Sequence, residues 1–205
     1  MAKDLIKISL TEFMNYVNKS GTQKTTVVGQ AKAKREDEYQ TYKDYWFKLR
    51  ERIKEVHKKG LTQESLIAII EEINEDKRNN YNTAIKGYCT FWGKKKIDWI
   101  NPPRKTWSVG DIRVELNPEL GLKIKDKIYY IKLFITSSDG IDKRHADLIL
   151  ALMEKELRDK VEDSAIFGVL DTKRGRLFEY KNKDPKLYLL LKAEASSFES
   201  LWNEL

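Results

Sequence analysis

The chain is short of the residues that staple small folds or announce common enzyme sites. It has one cysteine, Cys89, so no intramolecular disulfide can form. Cys89 lies in an aromatic helical stretch, where a buried structural thiol is expected. The two histidines, His57 and His145, fall on different expected helices without a second ligand at metal spacing, and both are expected at surfaces or helix ends. No apolar run approaches the roughly 18–20 residues needed to span a bilayer. The stretch Met1–Leu5 lacks the apolar core of a secretory signal, so a cytoplasmic location without a membrane partner is expected. There is no glycine-rich phosphate loop, no Gly-x-Ser-x-Gly elbow, no supported Cys–His pair and no internal repeat.

What the chain does have is charge and aromatics. Of its 205 residues, 35% are charged and 11% aromatic, enough apolar material for a real core despite the high charge. The formal charge of +7 is uneven. Residues 1–110 carry 22 Lys and Arg against 14 Asp and Glu, and residues 111–205 carry 17 against 18. The positive field therefore belongs to the first half. Its clusters are Lys32-Ala33-Lys34-Arg35, Lys94-Lys95-Lys96 and Arg104-Lys105, suited either to phosphate contact or to a solvated surface.

Hydrophobic spacing divides the chain in two. Ser9 and Glu12 form a capping box ahead of Leu10, Phe13, Met14 and Val17. Residues 21–35 have no period and read as a mobile basic loop. Tyr42, Tyr45, Trp46, Leu49, Ile53 and Val56 make one helical stripe; Leu66, Ile69, Ile70 and Ile73 follow Thr62 as a second. Tyr81, Ile85, Tyr88 and Trp92 make a third, from about Asp76. Residues 1–93 thus read as an N-terminal helical bundle. Pro102-Pro103 breaks the pattern, and strands are expected at 105–109, 111–116, 119–124 and 128–135, the last two joined at Lys125-Asp126-Lys127.

Asp142 opens a helix with Ala146, Ile149, Leu150, Met153 and Leu157 inward. The continuous apolar run Ala165–Leu170 reads as a strand covered on both faces. A turn at Thr172–Gly175, a strand from Arg176 to Tyr180 and a closing helix begun by Asp184-Pro185 follow. The fold class is α+β or α/β: the bundle of residues 1–93, then residues 94–205 as a mixed sheet of αβββαβ order flanked by helices, recruiting helix 77–92.

Two strands carry the chemistry. Asn117-Pro118-Glu119-Leu120-Gly121-Leu122 precedes Tyr129-Tyr130-Ile131-Lys132-Leu133-Phe134 in a hairpin, with a carboxylate entering one strand and a lysine inside the next. This order and these residues resemble the PD-(D/E)xK, restriction-endonuclease-like superfamily over about residues 77–171. The resemblance implies that Pro118-Glu119 supplies the first acid and Lys132 the lysine that positions attacking water. Tyr130 stands where a second, Mg²⁺- or Mn²⁺-binding acid is expected. A protonated phenol is a poor ligand for a hard cation, which leaves the site degenerate unless Glu115, Glu71, Glu72 or Glu75 replaces it. The Asn117–Leu122 and Lys132–Phe134 segments, with Leu170–Phe178 downstream, are also similar to a group of uncharacterised bacterial proteins.

Three functions are consistent with these residues. The first is a nucleic-acid-associated protein that contacts DNA or RNA through Lys32, Lys34, Arg35, Lys94, Lys95, Lys96 and Arg174. The second is an active Mg²⁺- or Mn²⁺-dependent nuclease with Glu119 as metal ligand and Glu119 and Lys132 as catalytic groups. The third is a protein-interaction module presenting its five tryptophans. In a non-catalytic chain Glu119 and Lys132 would form a cross-strand ion pair on a half-solvated sheet. Ser137-Ser138-Asp139-Gly140, a loop ahead of a helix, is a further candidate anion contact.

Overall fold

A computed structural model describes residues 5–36, 44–136, 140–181 and 184–205. Tyr42 and the Ser137-Ser138-Asp139 part of the candidate anion loop lie outside the described residues. The molecule is a mixed α and β protein in which helices flank two sheets. Among the described residues, no helix is long and apolar enough to cross a membrane.

The first described element is a strand not expected from the sequence, β1 (Ile6–Ser9), which runs into α1 (Leu10–Val17). The Ser9–Glu12 capping box forms as the spacing implies, with each partner satisfying the other's backbone N–H. The basic segment expected to be a mobile loop is instead a helix, α2 (Thr22–Glu36). Its apolar positions are few, but Val27 and Val28 are buried, and packing of this short apolar side supplies the order that periodicity does not announce. Helices α3 (Phe47–Lys58), α4 (Gln63–Ile67, continued by a 3-10 segment, Ala68–Glu72) and α5 (Glu75–Trp92) follow.

Eight strands are described. After β1 come β2 (Ile97–Ile100), β3 (Lys105–Val109), β4 (Ile112–Leu116), β5 (Leu120–Ile124), β6 (Lys127–Phe134), β7 (Ile166–Asp171) and β8 (Arg176–Glu179). The meander expected from residue 105 onward is not one sheet. β3 and β4 leave it to pair with β1 in a three-stranded sheet of order β1-β4-β3. Their place is taken by β2, which opens a five-stranded sheet of order β2-β5-β6-β7-β8. In that sheet β6 is antiparallel to β5 and parallel to β7, reached through α6 (Lys143–Leu157). Helix α7 (Pro185–Glu204) closes the chain, with Asp184 as N-cap and Pro185 in its first turn.

The two faces of the large sheet carry two cores. Tyr130, Phe167 and Val169 join α1, α2, α6, α7 and the small sheet on one side. Leu120, Leu122, Ile131, Leu133 and Leu170 join α3, α4 and α5 on the other. The helices before residue 93 are therefore divided between the faces. Neighbouring residues such as Val169 and Leu170 enter opposite cores because successive side chains on a strand point opposite ways. Helix α5 sits close to the β7–β8 turn: a Cβ on Gly87 would lie 1.9 Å from the Thr172 carbonyl oxygen, so only glycine allows this approach.

His57 is not at the surface. It is 4% exposed, its Nε2 shares a 2.6 Å hydrogen bond with the Tyr88 hydroxyl, and its ring lies 4.4 Å from that of Trp92. Burial pushes its pKa down to about 4. His145 does stand at a helix start, 3.0 Å from the N-cap Asp142. Cys89 is only partly buried, with its thiol pKa raised by that burial and then by Glu64.

Two predictions follow from this packing. Leu150 and Leu170 are each 0% exposed, in opposite cores. Leu150→Asp or Leu170→Asp buries an unpaired charge, and each is expected to abolish the cooperative unfolding transition followed by circular dichroism. A native spectrum and melt in either variant would refute the core assignment. The second concerns His57, whose imidazole titrates near 6.5 when free and near 4 when folded. The unfolded chain therefore binds more protons between those values, so this contribution is complete above about pH 6.5 and declines as pH falls toward 4, by about 3 kcal/mol in all. Urea denaturation of the protein and of His57→Gln should show the difference in stability between them shifting by about that amount across the window; a constant difference would exclude His57 as the source.

Candidate functional site

The Glu119–Lys132 pairing implied by the sequence forms. Leu120 is the partner of Ile131, so the residue before it, Glu119, stands across from Lys132. The Lys132 ammonium donates to Glu119 Oε1, and the Leu133 backbone N–H donates to Oε2 at 2.8 Å. The side chains are 10% and 12% exposed, so this is a largely buried pair rather than one on a half-solvated face. The buried Pro118 ahead of it and the first residue of β5 fix where the carboxylate stands. Glu119 thus takes up both the ammonium and a backbone donor beyond the end of the ladder.

Tyr130 belongs to the core on the α6–α7 side of the large sheet. It is 5% exposed and packs in the core, its ring 6.1 Å from that of Phe167. Burial raises its hydroxyl pKa, and the Glu162 charge raises it further. It is therefore a protonated phenol. None of the alternative acids completes a metal site. Glu115 lies on β4 in the other sheet, and Glu72 accepts a 2.7 Å hydrogen bond from Arg52. Glu71 and Glu75 are exposed. Among the described residues, no three His, Cys, Asp or Glu side chains gather where they could hold a metal ion.

Glu119 lines a cleft of about 420 Å³. One wall is α3, presenting Phe47, Arg50, Glu51, Lys54 and Lys58. The facing wall is the end of β2 and the turn after it, with Trp99, Asn101, Pro102 and Arg104, and Asn117, Pro118 and Glu119 complete the lining. Arg50, Lys54 and Lys58 recur every four residues, which places them along one side of the helix. Arg50 pairs with Asp44, and Lys54 with Glu51 at 2.6 Å. Lys58 Nζ lies 5.2 Å from the centre of the Trp99 ring, whose Nε1–H donates to Asn101 Oδ1 at 3.0 Å. Arg104 is exposed, with no ion-pair partner among the described residues.

The cationic clusters prominent in the sequence lie elsewhere or are engaged. Lys32 donates to the Trp202 carbonyl at 3.2 Å, Arg35 lies over the Trp202 ring at 5.9 Å, and Lys34 pairs with Glu12 at 2.8 Å. These three fasten α2 to its neighbours on the side away from α3. Lys95 donates to the Phe91 carbonyl at the end of α5, while Lys94 and Lys96 are exposed. Lys94 lines a separate shallow pocket with Leu61, Thr62 and Glu64, where Gln63, the first residue of α4, donates to the Gly93 carbonyl at 2.7 Å. Arg174 sits at the β7–β8 turn, its guanidinium 3.4 Å from the fully buried Asp171. Of the cleft cations, only Arg104 belongs to a visible cluster. Arg50, Lys54 and Lys58 are separated by three residues each, a spacing that marks them only once a helix is assumed.

No protein-family model matches the chain, and no curated protein is significantly similar to it.

The buried pair yields a measurable coupling. Glu119→Ala leaves the Lys132 ammonium and the Leu133 N–H without their acceptor, and should lower stability by about 3 kcal/mol. Lys132→Met alone should also destabilise, but the double variant should lose clearly less than the sum, because the orphaned partner is gone. Additive losses in urea denaturation would show that the two groups act independently.

Proposed function

We propose that the protein binds nucleic acid in the cleft between α3 and the β2–β3 turn, and that its nuclease-like pair is structural rather than hydrolytic. The single observation that carries this reading is the convergence of Arg50, Lys54, Lys58 and Arg104 on one cleft with Glu119 in its lining. Such a row can replace the counterions of a phosphate backbone.

The chain order α5, β2, β5, β6, α6, β7, with β3 and β4 inserted after β2, supports the PD-(D/E)xK resemblance. The chemistry around it supports binding without cleavage. One acid, already shared between an ammonium and a backbone donor, offers a divalent ion a single ligand, and Tyr130 offers none. Hydrolysis by this superfamily's route needs the metal to stabilise charge and activate water.

The test is fluorescence anisotropy with short labelled DNA and RNA. For three or four phosphate contacts, raising salt from about 50 to 200 mM should weaken binding by roughly 20- to 50-fold for a single strand and roughly 40- to 150-fold for a duplex. Replacing Lys54, Lys58 and Arg104 together by glutamine should weaken it and flatten the salt dependence. Replacing Lys32 and Arg35, which serve Trp202, should leave affinity unchanged. Absence of binding at low salt would overturn the proposal in favour of a protein partner. Mg²⁺- or Mn²⁺-dependent cleavage that disappears in Lys132→Met would instead restore the nuclease reading.

A further inference from the structure

We infer that the cleft accepts a single strand of nucleic acid in preference to a duplex, with an unstacked base resting on Phe47; this rests on the nucleic-acid reading above. Three observations point the same way. The first is Phe47. Among the described residues it is the only aromatic side chain that stays broadly exposed, at 38%; the other large exposed hydrophobics are aliphatic. It stands at the first position of α3 and lines the cleft rather than the open surface. An uncovered ring beside cations offers a base a face to stack on, and a duplex has no free base face to present.

The second is the form of the cationic row. Arg50, Lys54 and Lys58 advance about 6 Å per step along the helix axis, as four residues at 1.5 Å each require. That is close to the separation of successive phosphates on one extended strand. Lys58 lies against Trp99, so the row brings a phosphate-binding charge and an aromatic ring side by side, the pairing used by single-strand grooves.

The third is size. At about 420 Å³ the cleft has the dimensions of a small-ligand pocket. The Trp99–Arg104 segment stands opposite α3, so the helix does not project freely as a helix entering a major groove must. A strand with its bases turned inward fits between these walls, with Arg104 and the Asn101 and Asn117 side chains along its path.

The experiment compares a labelled ten-nucleotide single strand with a duplex of the same sequence, by anisotropy at low salt, for the protein and for Phe47→Ala and Phe47→Leu. Thermal melts confirm that both variants fold, as expected for an exposed position. The single strand should bind at least tenfold tighter than the duplex. Both substitutions should weaken single-strand binding by about tenfold, since leucine keeps bulk but not the ring face, and should leave the salt dependence unchanged because the phosphate contacts remain. Equal or tighter duplex binding overturns this inference and leaves the proposed function standing. Unchanged single-strand affinity in Phe47→Ala also overturns it, even if the single strand is preferred. Absence of binding to both probes overturns the inference together with the reading on which it rests.

Discussion

Burial on both faces of β6 and β7 is the constraint from which the architecture follows. Leu122, Ile131, Val169 and Leu170 are each 0% exposed, yet they divide between two cores. A strand that buries side chains on both faces must be covered on both, and each fully buried Leu, Ile or Val contributes about 1.5–3 kcal/mol. The α3–α5 layer is therefore not an accessory to the sheet. It is the half of the core that holds Leu120, Leu122, Ile131, Leu133 and Leu170 out of water, while α6 and α7, with α1, α2 and the small sheet, do the same for the other half.

The cleft is a by-product of that layering. Covering the face of an edge strand with a helix leaves a furrow where the two surfaces diverge. Here α3 lies against β2, the edge of the large sheet. The side of α3 that packs inward carries Leu49, Ile53 and Val56, so the charged positions between them are free to line the furrow. The Glu119–Lys132 pair sits where β5 begins and links β5 to β6. The Glu119 carboxylate makes this tie through the Lys132 ammonium and the Leu133 N–H.

His57 shows how far burial overrides residue type. A titratable ring sits among Tyr88 and Trp92 in a largely apolar core, satisfied by a hydroxyl and kept neutral by desolvation. Asp171, at 0% exposed, is handled differently: it accepts from the Ile141, Lys173 and Arg174 backbone N–H groups and from the Arg174 guanidinium. One polar group is neutralised and the other is surrounded by donors, the two ways in which a buried ionisable group becomes tolerable.

Elements with strong local signals were legible from residue order alone. The Ser9–Glu12 box, the Asp142 and Asp184 caps, the inward stripe of α6 and the apolar β7 each announce themselves through capping chemistry or periodicity, which depend only on near neighbours. The same locality set Glu119 against Lys132, because a short hairpin has few registers. Other features had no such signal. Helix α2 has too few apolar positions to show a period and is ordered by contact with α7; β1 and β2 are four residues each and gain strand identity only from β4 and β5. Tyr130 shares a face with Lys132 by sequence, yet a face buried under α6 and α7 sends its ring into the core. The cleft cations are scattered through α3 and the β2–β3 turn, and only packing of that helix on that strand brings them together. The sequence alone determined the local elements and the hairpin pair; tertiary structure alone decided the cleft, because its walls are contributed by residues about 40 to 70 positions apart in the chain, beyond the reach of any local pattern.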